Sequence, residues 1–303
     1  MINSVKITNH LGEVLTVELR FPEKSGFLLA HISGLEPPKA SVVTTELAAQ
    51  DGSVYNTSRV SNRNIVFTFV FGDKYSPEEA RLLTYKYFPI KKRVSLEFIT
   101  ETRQATTYGY VESNAVNIFS PRVATQISIV CPDPYFYSSA LTYTSLSGID
   151  PLFEFPFSNE SLSQNLIEIS QILNNTIINV PYYGEADTGM IIRIYALGAA
   201  ENIVLFNELT GETFSLITDL LYTTEWDPQG LTLGDELIVS SIRGDKYVKF
   251  LRNGVYYNML NMRAIDSKWL MLRTGDNLIG YYASSGENNL QVRIENPTLY
   301  EGL

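Results

Sequence analysis

Residues 131–139 read CPDPYFYSS, which places the only cysteine of the chain among two prolines and three aromatic residues. Three interpretations are open for this stretch: a reactive or metal-binding thiol, a piece of ordinary core, or a joint between two folded units. Proline fixes φ near about −65° and biases the residue before it toward an extended conformation, so the stretch is stiff. We interpret Cys131, Pro132, Pro134 and Tyr135 as an interdomain joint, with Cys131 as a small buried hydrophobe.

Length and composition favour two globular domains. The chain has 303 residues, 45% of them hydrophobic and 18% charged, and one hydrophobic core rarely serves so many residues. With the joint as the boundary, the predicted domains are 1–137 and 138–303. A single cysteine excludes an internal disulfide and offers one ligand where a structural zinc ion needs about four.

The net charge is −10, from 23 basic and 33 acidic residues. Such a chain repels phosphate backbones, so sequence-specific nucleic-acid binding is not expected. The sequence has no apolar run of about 20 residues and no basic-then-apolar start, which predicts neither a membrane span nor a signal peptide.

Short runs of alternating apolar residues predict a mainly β protein. In the first half these runs predict a mostly β unit, with strands at Val5–Leu19 (a hairpin), Phe27–Ile32, Ile65–Phe71, Val94–Thr100, Thr106–Ile118 and Thr125–Val130. In the second half they predict a jelly-roll β-sandwich, with strands at Leu166–Ile172, Ile177–Val180, Met190–Leu197, Asn202–Phe206, Glu212–Ile217, Glu236–Ser241, Tyr247–Leu251, Trp269–Arg273, Asn277–Ala283 and Leu290–Ile294.

One amphipathic helix is predicted in the first half. Ser76 and Glu79 form a Ser-x-x-Glu capping box, Pro77 suits the first helical position, and Pro89 ends the helix. We interpret this helix as a packing element against the sheet.

Residues 36–64 are weakly patterned and rich in Pro, Ser, Thr and Asn. Such a segment is a disordered region, a solvent loop, or an arm that only a partner orders. All three alternatives stay open at this point, although a lone copy has no evident way to bury the apolar side chains of this segment. If the segment is an arm that a partner orders, the candidate interface residues are Val42, Val43, Leu47, Val54, Tyr55 and Arg63.

Catalytic motifs are absent from the sequence. The two histidines, His10 and His31, sit in no metal-binding or triad frame, and no nucleophile elbow or nucleotide-binding loop occurs. We therefore expect no enzyme activity and no cofactor. Acidic residues cluster around Trp226, namely Asp219, Glu225, Asp227, Asp235 and Glu236. An aromatic ring beside acids could stack on a sugar, so Trp226, Asp227 and Tyr281 are candidate glycan contacts, although Trp226 in a turn is more typical of a core residue.

Taken together, these motifs resemble the distal tail protein (Dit) family of long-tailed phages that infect Gram-positive hosts. In the first half, the resemblance rests on the opening hairpin, the capped helix and the segments Gln50–Ser53, Arg63–Phe67, Tyr108–Val111 and Cys131–Tyr137. In the second half it rests on the segments Tyr183–Gly189, Asp266–Leu270, Arg273–Asn277 and Pro297–Leu303. The chain departs from the family at Thr274, where the family usually has proline.

The resemblance implies a structural part of a phage tail tip. The first domains, each a β-sandwich or split barrel with one helix in the family, would join as a ring of six between the tail tube and a tail-associated lysin or fibre. The second domain, galectin-like in the family, would project outward. The expected partners are further copies of the chain, the tube protein and the lysin or fibre, with the protein made in the host cytoplasm and located in the virion.

Two alternatives stay open. The chain could be a carbohydrate-binding tail module that attaches to host cell-wall polysaccharide, or the equivalent hub part of a phage-tail-like bacteriocin. Sequence alone does not separate a virion from such a particle.

Overall fold

The computed structural model describes residues 2–48, 51–117, 123–151, 170–174, 176–223 and 226–303. The chain forms two compact units, one of residues 1–139 with 299–303 and the other of residues 140–298. The boundary lies two residues after the predicted one, within a strand that continues from the CPDPYFYSS stretch. The last five residues, which the sequence assigned to the second domain, belong to the first unit.

The first unit is built mainly from strands. They are β1 (Ile2–Thr8), β2 (Val14–Glu18), β3 (Phe27–Ser33), β4 (Ala40–Glu46), β5 (Ser53–Val60), β6 (Arg63–Phe71), β7 (Arg93–Thr100), β8 (Gln104–Asn117), β9 (Ala124–Cys131) and β10 (Phe136–Ser145). The opening hairpin and the predicted strands at β3, β6, β7, β8 and β9 are therefore confirmed within a few residues. The predicted end of β8 at Ile118 lies outside the described residues.

Seven of these strands form one antiparallel sheet in the order β2-β1-β7-β8-β9-β6-β3. The end strands β2 and β3 contact each other, and a four-residue helix, α1 (Pro22–Ser25), connects them. This arrangement matches the split-barrel prediction, while α1 is a helix that the sequence analysis missed.

Alternating residues of the sheet fill the core of the first unit. Ile65, Phe67 and Phe69 of β6 are fully or almost fully buried. The Phe67 ring stacks on Phe69, with centroids 5.5 Å apart, and on Phe98 of β7 at 6.3 Å. The period of two in the sequence thus corresponds to one buried face.

Helix α2 (Pro77–Tyr87) has the predicted capping box. The Ser76 hydroxyl accepts a hydrogen bond from the Glu79 backbone, and the Glu79 carboxylate accepts one from the Ser76 backbone. Ala80 and Thr84 are the buried residues of the helix, so it packs on the core as expected.

The CPDPYFYSS stretch carries the chain from β9 to β10 along one edge of β8. Strand β9 pairs with β8 from Tyr110 onward, and β10 pairs with it at Ala105 and Thr106. The two prolines interrupt the ladder between these pairings, because proline donates no backbone hydrogen bond.

Strands β4 and β5 form a separate two-stranded sheet, here called the arm hairpin (residues 40–60). The sequence analysis left this segment without strands. Of its described residues, all are exposed except Val60, which is half-buried.

The described part of the second unit contains thirteen strands. They are β11 (Ser147–Pro151), β12 (Ser170–Asn174), β13 (Ile177–Asn179), β14 (Thr188–Gly189), β15 (Ile191–Ala196), β16 (Glu201–Asn207), β17 (Glu212–Leu216), β18 (Glu236–Ser240), β19 (Tyr247–Arg252), β20 (Val255–Asn258), β21 (Met271–Leu272), β22 (Leu278–Ser285) and β23 (Leu290–Tyr300). Three short 3₁₀ helices occur at Thr218–Tyr222, Leu260–Met262 and Glu287–Asn289. Most of the predicted strand at Leu166–Ile172 lies outside the described residues.

Two antiparallel sheets share one core in this unit. One sheet has the order β23-β15-β18-β19-β20 and the other β13-β22-β16-β17. Ile192 and Phe250 from the first sheet and Leu205 and Phe214 from the second belong to the same buried cluster. The predicted β-sandwich and the mainly β fold class are confirmed.

Candidate subunit interface

The arm hairpin is a regular antiparallel pair with one irregularity. Ala40 pairs with Val60 at its root and Glu46 with Ser53 near its tip. The register shifts by one residue between Val43 and Thr44, as in a β-bulge. Strands of seven and eight residues extend for about 25 Å.

Five of the six predicted interface residues lie on this hairpin and are exposed. Tyr55 is 60% exposed and Val54 50% exposed. Val42, Val43 and Leu47 are also exposed. Large apolar side chains at such exposure on one continuous element indicate a surface that another protein covers.

The polar groups of the hairpin are mostly uncharged. The Asn56 side chain donates to the Thr45 hydroxyl at 2.7 Å, and the Tyr55 and Ser58 hydroxyls lie 2.9 Å apart. The 21 residues of the hairpin include only three charged ones, Glu46, Asp51 and Arg59. This composition lacks the charges with which monomeric proteins protect edge strands.

The hairpin pairs with no third strand in the described part of the chain. An isolated two-stranded hairpin is at best marginally stable in water, since ordering its backbone is not offset by burial. Contact with another molecule is the physical means by which such an element gains a third strand or a buried face.

Arg63 requires a correction. The sequence analysis placed it at the subunit interface, but its side chain is only 2% exposed. Its guanidinium donates to backbone carbonyls within the first unit, including that of Pro134 at 2.7 Å. A buried cation must find acceptors, and Arg63 finds them inside its own chain.

The residues of the proposed joint lie in the first unit, directly before the boundary. Cys131 is fully buried, as predicted, and burial raises the pKa of its thiol to about 11. Pro134 is buried, Tyr135 half-buried and Pro132 exposed. Asp133 holds the turn, because its carboxylate accepts hydrogen bonds from the Tyr135 backbone at 3.2 Å and from the Tyr137 hydroxyl. The joint role itself stays a prediction.

The candidate glycan contacts do not form a site. Tyr281 is fully buried and its hydroxyl donates to the Leu290 carbonyl at 3.3 Å, so the prediction for Tyr281 was wrong: its ring belongs to the sandwich core. Trp226 is half-buried and packs edge-on against Phe250 and Tyr257, with centroids 5.2 and 4.7 Å away. Asp227 alone is exposed.

Two of the acidic residues near Trp226 in the sequence are paired with arginines. Asp235 forms a buried bidentate pair with Arg252, at 2.9 and 2.5 Å. Glu236 accepts from Arg193 at 2.8 Å. Glu225 lies outside the described residues. Carboxylates held in this way stabilise the fold of the sandwich.

Among residues 2–48, 51–117, 123–151, 170–174, 176–223 and 226–303, no group of three His, Cys, Asp or Glu residues could hold a metal ion. Within the same ranges, no helix has the length and apolar character needed to cross a membrane.

The sequence analysis missed the two strands of the arm. A signal for them exists in Val42, Val43, Thr44 and Thr45, since consecutive β-branched residues favour extended structure. The signal was weak because the alternation that reveals a strand arises from burying one face, and this hairpin buries neither within its own chain.

Known proteins were compared with the chain at the levels of sequence and fold. No protein-family model matches the sequence, and no curated protein matches it. Among solved structures, the Dit protein (gp 19.1) of phage SPP1, described as a paradigm of the hub adsorption apparatus in phages that infect Gram-positive hosts, aligns with a TM-score of 0.65 and 16% identity. The alignment covers 97% of this chain and 98% of that protein.

Two structures of the phage P2 baseplate in its activated conformation also match. The structure with calcium aligns with a TM-score of 0.55 and 12% identity, covering 98% of each chain. The structure with strontium aligns with a TM-score of 0.53 and 12% identity, covering 97% of each chain. At these identities the likeness establishes the fold. In fold, therefore, this chain is similar over nearly its whole length to phage distal tail and baseplate proteins, as the sequence motifs predicted.

Proposed function

We propose that this chain is a structural distal tail protein of a phage tail tip. Copies assemble through the first unit into a closed ring, of six subunits by analogy with the family. The ring joins the tail tube to a tail-associated lysin or fibre in the virion, after synthesis in the host cytoplasm. The chain has no enzymatic role in this proposal.

The observation that carries the proposal is the arm hairpin. It presents exposed Val42, Val54 and Tyr55 on a two-stranded element that its own chain leaves without a packing partner among the described residues. A hairpin that lies across the next copy, while receiving the arm of the previous copy elsewhere, makes a heterologous contact. Repeated around an axis, such contacts close into a ring.

The full-length fold match supports the role as well. The SPP1 protein is described as part of a hub adsorption apparatus, and the P2 chains belong to a baseplate. Both are structural positions at the end of a tail, and the match extends over both units of this chain.

Light scattering after size exclusion tests the proposal on the full chain. Six copies of the 34.1 kDa chain give a particle of about 205 kDa. We expect this species alone or on addition of the cognate tube protein. A chain that stays monomeric in both conditions would contradict the proposal.

A matched pair of variants localises the interface. Val54 on the arm and Val255 on β20 of the second unit are each 50% exposed. Val54→Asp would bury a charge in the ring contact, so we expect association to weaken about 100-fold or more. Val255→Asp should leave association unchanged. Equal effects of the two variants would exclude the arm as the specific contact.

A further inference from the structure

The C-terminal residues 299–303 return to the first unit and lie beside the root of the arm. The Leu303 backbone donates to the Leu35 carbonyl at 3.1 Å. Arg103, in the turn between β7 and β8, donates to the Gly302 carbonyl at 3.2 Å and lies over the Tyr300 ring at 4.4 Å. The last residues are thus held from two sides.

Arg63 connects this terminus to the arm. Its Nη2 donates to the Glu301 carbonyl at 2.5 Å. Its Nη1 donates to the carbonyls of Gly34 and Glu36, at 2.5 and 2.8 Å, in the segment that leads into β4. Its Nε donates to the Pro134 carbonyl, and its guanidinium stacks on the Phe136 ring at 4.3 Å.

The position of Arg63 in the chain makes this contact unusual. Arg63 is the first residue of β6 and follows β5 by only a few residues, so it lies on the segment that leads out of the arm hairpin, the outgoing leg. Gly34 and Glu36 lie on the segment that leads into the arm hairpin, the incoming leg. The Arg63 side chain therefore joins the two legs to each other and to residues 299–303.

Close packing at the root shows how tightly the legs meet. Gly34 has φ +85°, and a Cβ there would lie 2.0 Å from the Asn64 carbonyl oxygen. A Cβ on Gly302 would lie 2.9 Å from Pro37 Cδ. Glycine is needed at both positions because backbone approaches backbone or ring without room for a side chain.

The four acceptors on Arg63 are all backbone carbonyls. A planar guanidinium presents five donors in a fixed fork, which a lysine ammonium on a flexible stem does not reproduce. These four carbonyls lie on three segments, at residues 34–36, 134 and 301. The cost of burying the cation is offset only when all three segments are in place, because loss of any one leaves a buried donor unsatisfied. The contact is therefore cooperative.

We propose that Arg63 and residues 299–303 form a clasp that fixes the direction of the arm hairpin, with Arg63 as its positioning residue. This inference rests on the proposed function, in which the arm contacts a neighbouring copy. An arm held in one direction pays less entropy on docking, so the clasp favours ring closure without touching the neighbour.

Hydrogen exchange of the full chain, measured on the monomeric fraction, tests the clasp independently of the ring. The variants are Arg63→Lys, which keeps the charge and loses the fork, and Gly302→Val, which displaces the terminus from Pro37. Arg20→Lys, at an exposed position of the first unit outside the arm hairpin, is the matched control. We expect the amides of residues 34–36 and 301–303 to exchange about tenfold faster or more in both clasp variants and to be unchanged in the control.

The same variants are then assayed for assembly by light scattering. We expect both clasp variants to reduce the ring fraction at least about tenfold while the second unit keeps its unfolding midpoint, and the double variant to be no worse than the single ones. Unchanged exchange and assembly in both variants would overturn the clasp. If Arg63→Lys unfolds the first unit, Gly302→Val decides alone.

The two proposals fail in different ways. A wild-type chain that never assembles refutes the ring, while the exchange of the arm root still tests the clasp. A ring that forms equally well in wild type and in a variant with a loosened root refutes the clasp and leaves the ring intact.

Discussion

Two hairpins of the first unit have similar composition and opposite environments. The β1–β2 hairpin and the arm hairpin both consist of short strands rich in β-branched residues. In the first, Val5 and Ile7 are fully buried, and β1 gains a third strand by pairing with β7. In the second, no side chain of the described residues is buried, and no third strand is present in the described chain. Residue preference is enough to make a hairpin, but burial decides whether the hairpin is stable alone.

The two hairpins are also anchored at different places. The β1–β2 turn is organised by Asn9, whose side chain accepts from the Leu11 and Glu13 backbones at 3.0 Å and donates to the Lys86 carbonyl at 3.1 Å. The arm is instead anchored at its root, by Arg63. The β1–β2 hairpin is therefore attached to the rest of the unit at its turn, whereas the arm hairpin is attached at its root and its tip projects.

The largest difference between core and arm should appear when an aromatic ring is removed. Phe67→Ala deletes a fully buried ring that stacks on Phe69 and Phe98, so we expect the free energy of unfolding of the first unit to fall by about 3–5 kcal/mol. Both tryptophans lie in the second unit, so hydrogen exchange of peptides from β6 and β7 is the suitable measurement. A loss below about 1 kcal/mol would show that this core is loosely packed.

Deprotonation of the Cys131 thiol at alkaline pH should lower the stability of the first unit, by less than Phe67→Ala does. Burial raises its pKa from 9.0 to about 11, so the unfolded chain releases this proton at lower pH than the folded chain does. The stabilising contribution is complete below about pH 9 and is lost as the pH rises to about 11, at a cost of about 2–3 kcal/mol. Denaturant unfolding of the first unit at pH 8 to 11 should show this decline, and Cys131→Ala should flatten it. Tyrosines also titrate in this range, so the difference between the two proteins is the quantity to measure.

The N-terminal cap of helix α2 should contribute less to the stability of the first unit than the protonated Cys131 thiol does. Ser76→Ala removes the hydroxyl that accepts from the Glu79 backbone, and we expect a loss of about 1 kcal/mol in the stability of the first unit. Ser41→Ala, on the exposed β4, is the control and should change stability by less than about 0.5 kcal/mol. Helix α2 amides in hydrogen exchange provide the local readout. Equal losses for the two serines would mean that the arm is packed in the monomer.

The smallest effect on the monomer should come from the arm itself. Tyr55→Ala removes a ring of the same size class as Phe67, but this ring is 60% exposed. We expect a change below about 0.5 kcal/mol in the monomer, measured as for Phe67→Ala. The same variant should weaken association clearly, because aromatic side chains dominate interface energies. A large loss of stability in the monomer together with normal assembly would contradict this prediction, because Tyr55 would then act as a core residue and not as an interface residue.

Local sequence was a good guide where one face of an element is buried in its own chain. The alternation in residues 65–71, the Ser76 capping box and the buried Cys131 are all confirmed. The full-length likeness to distal tail proteins was also visible in the order of the motifs. Each of these signals comes from residues whose neighbours in sequence are their neighbours in structure.

The candidate site was less predictable. Val42, Val43, Leu47, Val54 and Tyr55 are exposed on one hairpin, but Arg63 was assigned to the wrong environment. Its partners are carbonyls of Gly34, Glu36, Pro134 and Glu301, and a backbone carbonyl has the same chemistry at every residue. Similarly, Tyr281 and Trp226 are aromatic residues whose burial depends on the opposing sheet, which their local sequence does not reveal.

The sequence by itself determined the mainly β class, the capped helix and the segment that carries exposed apolar side chains. Only the tertiary structure decided that this segment is a two-stranded arm, that the last five residues belong to the first unit, and that Arg63 connects them. The reason is physical: periodicity records burial against a chain's own core, whereas contacts between distant backbone segments leave no periodic trace in the residues that make them.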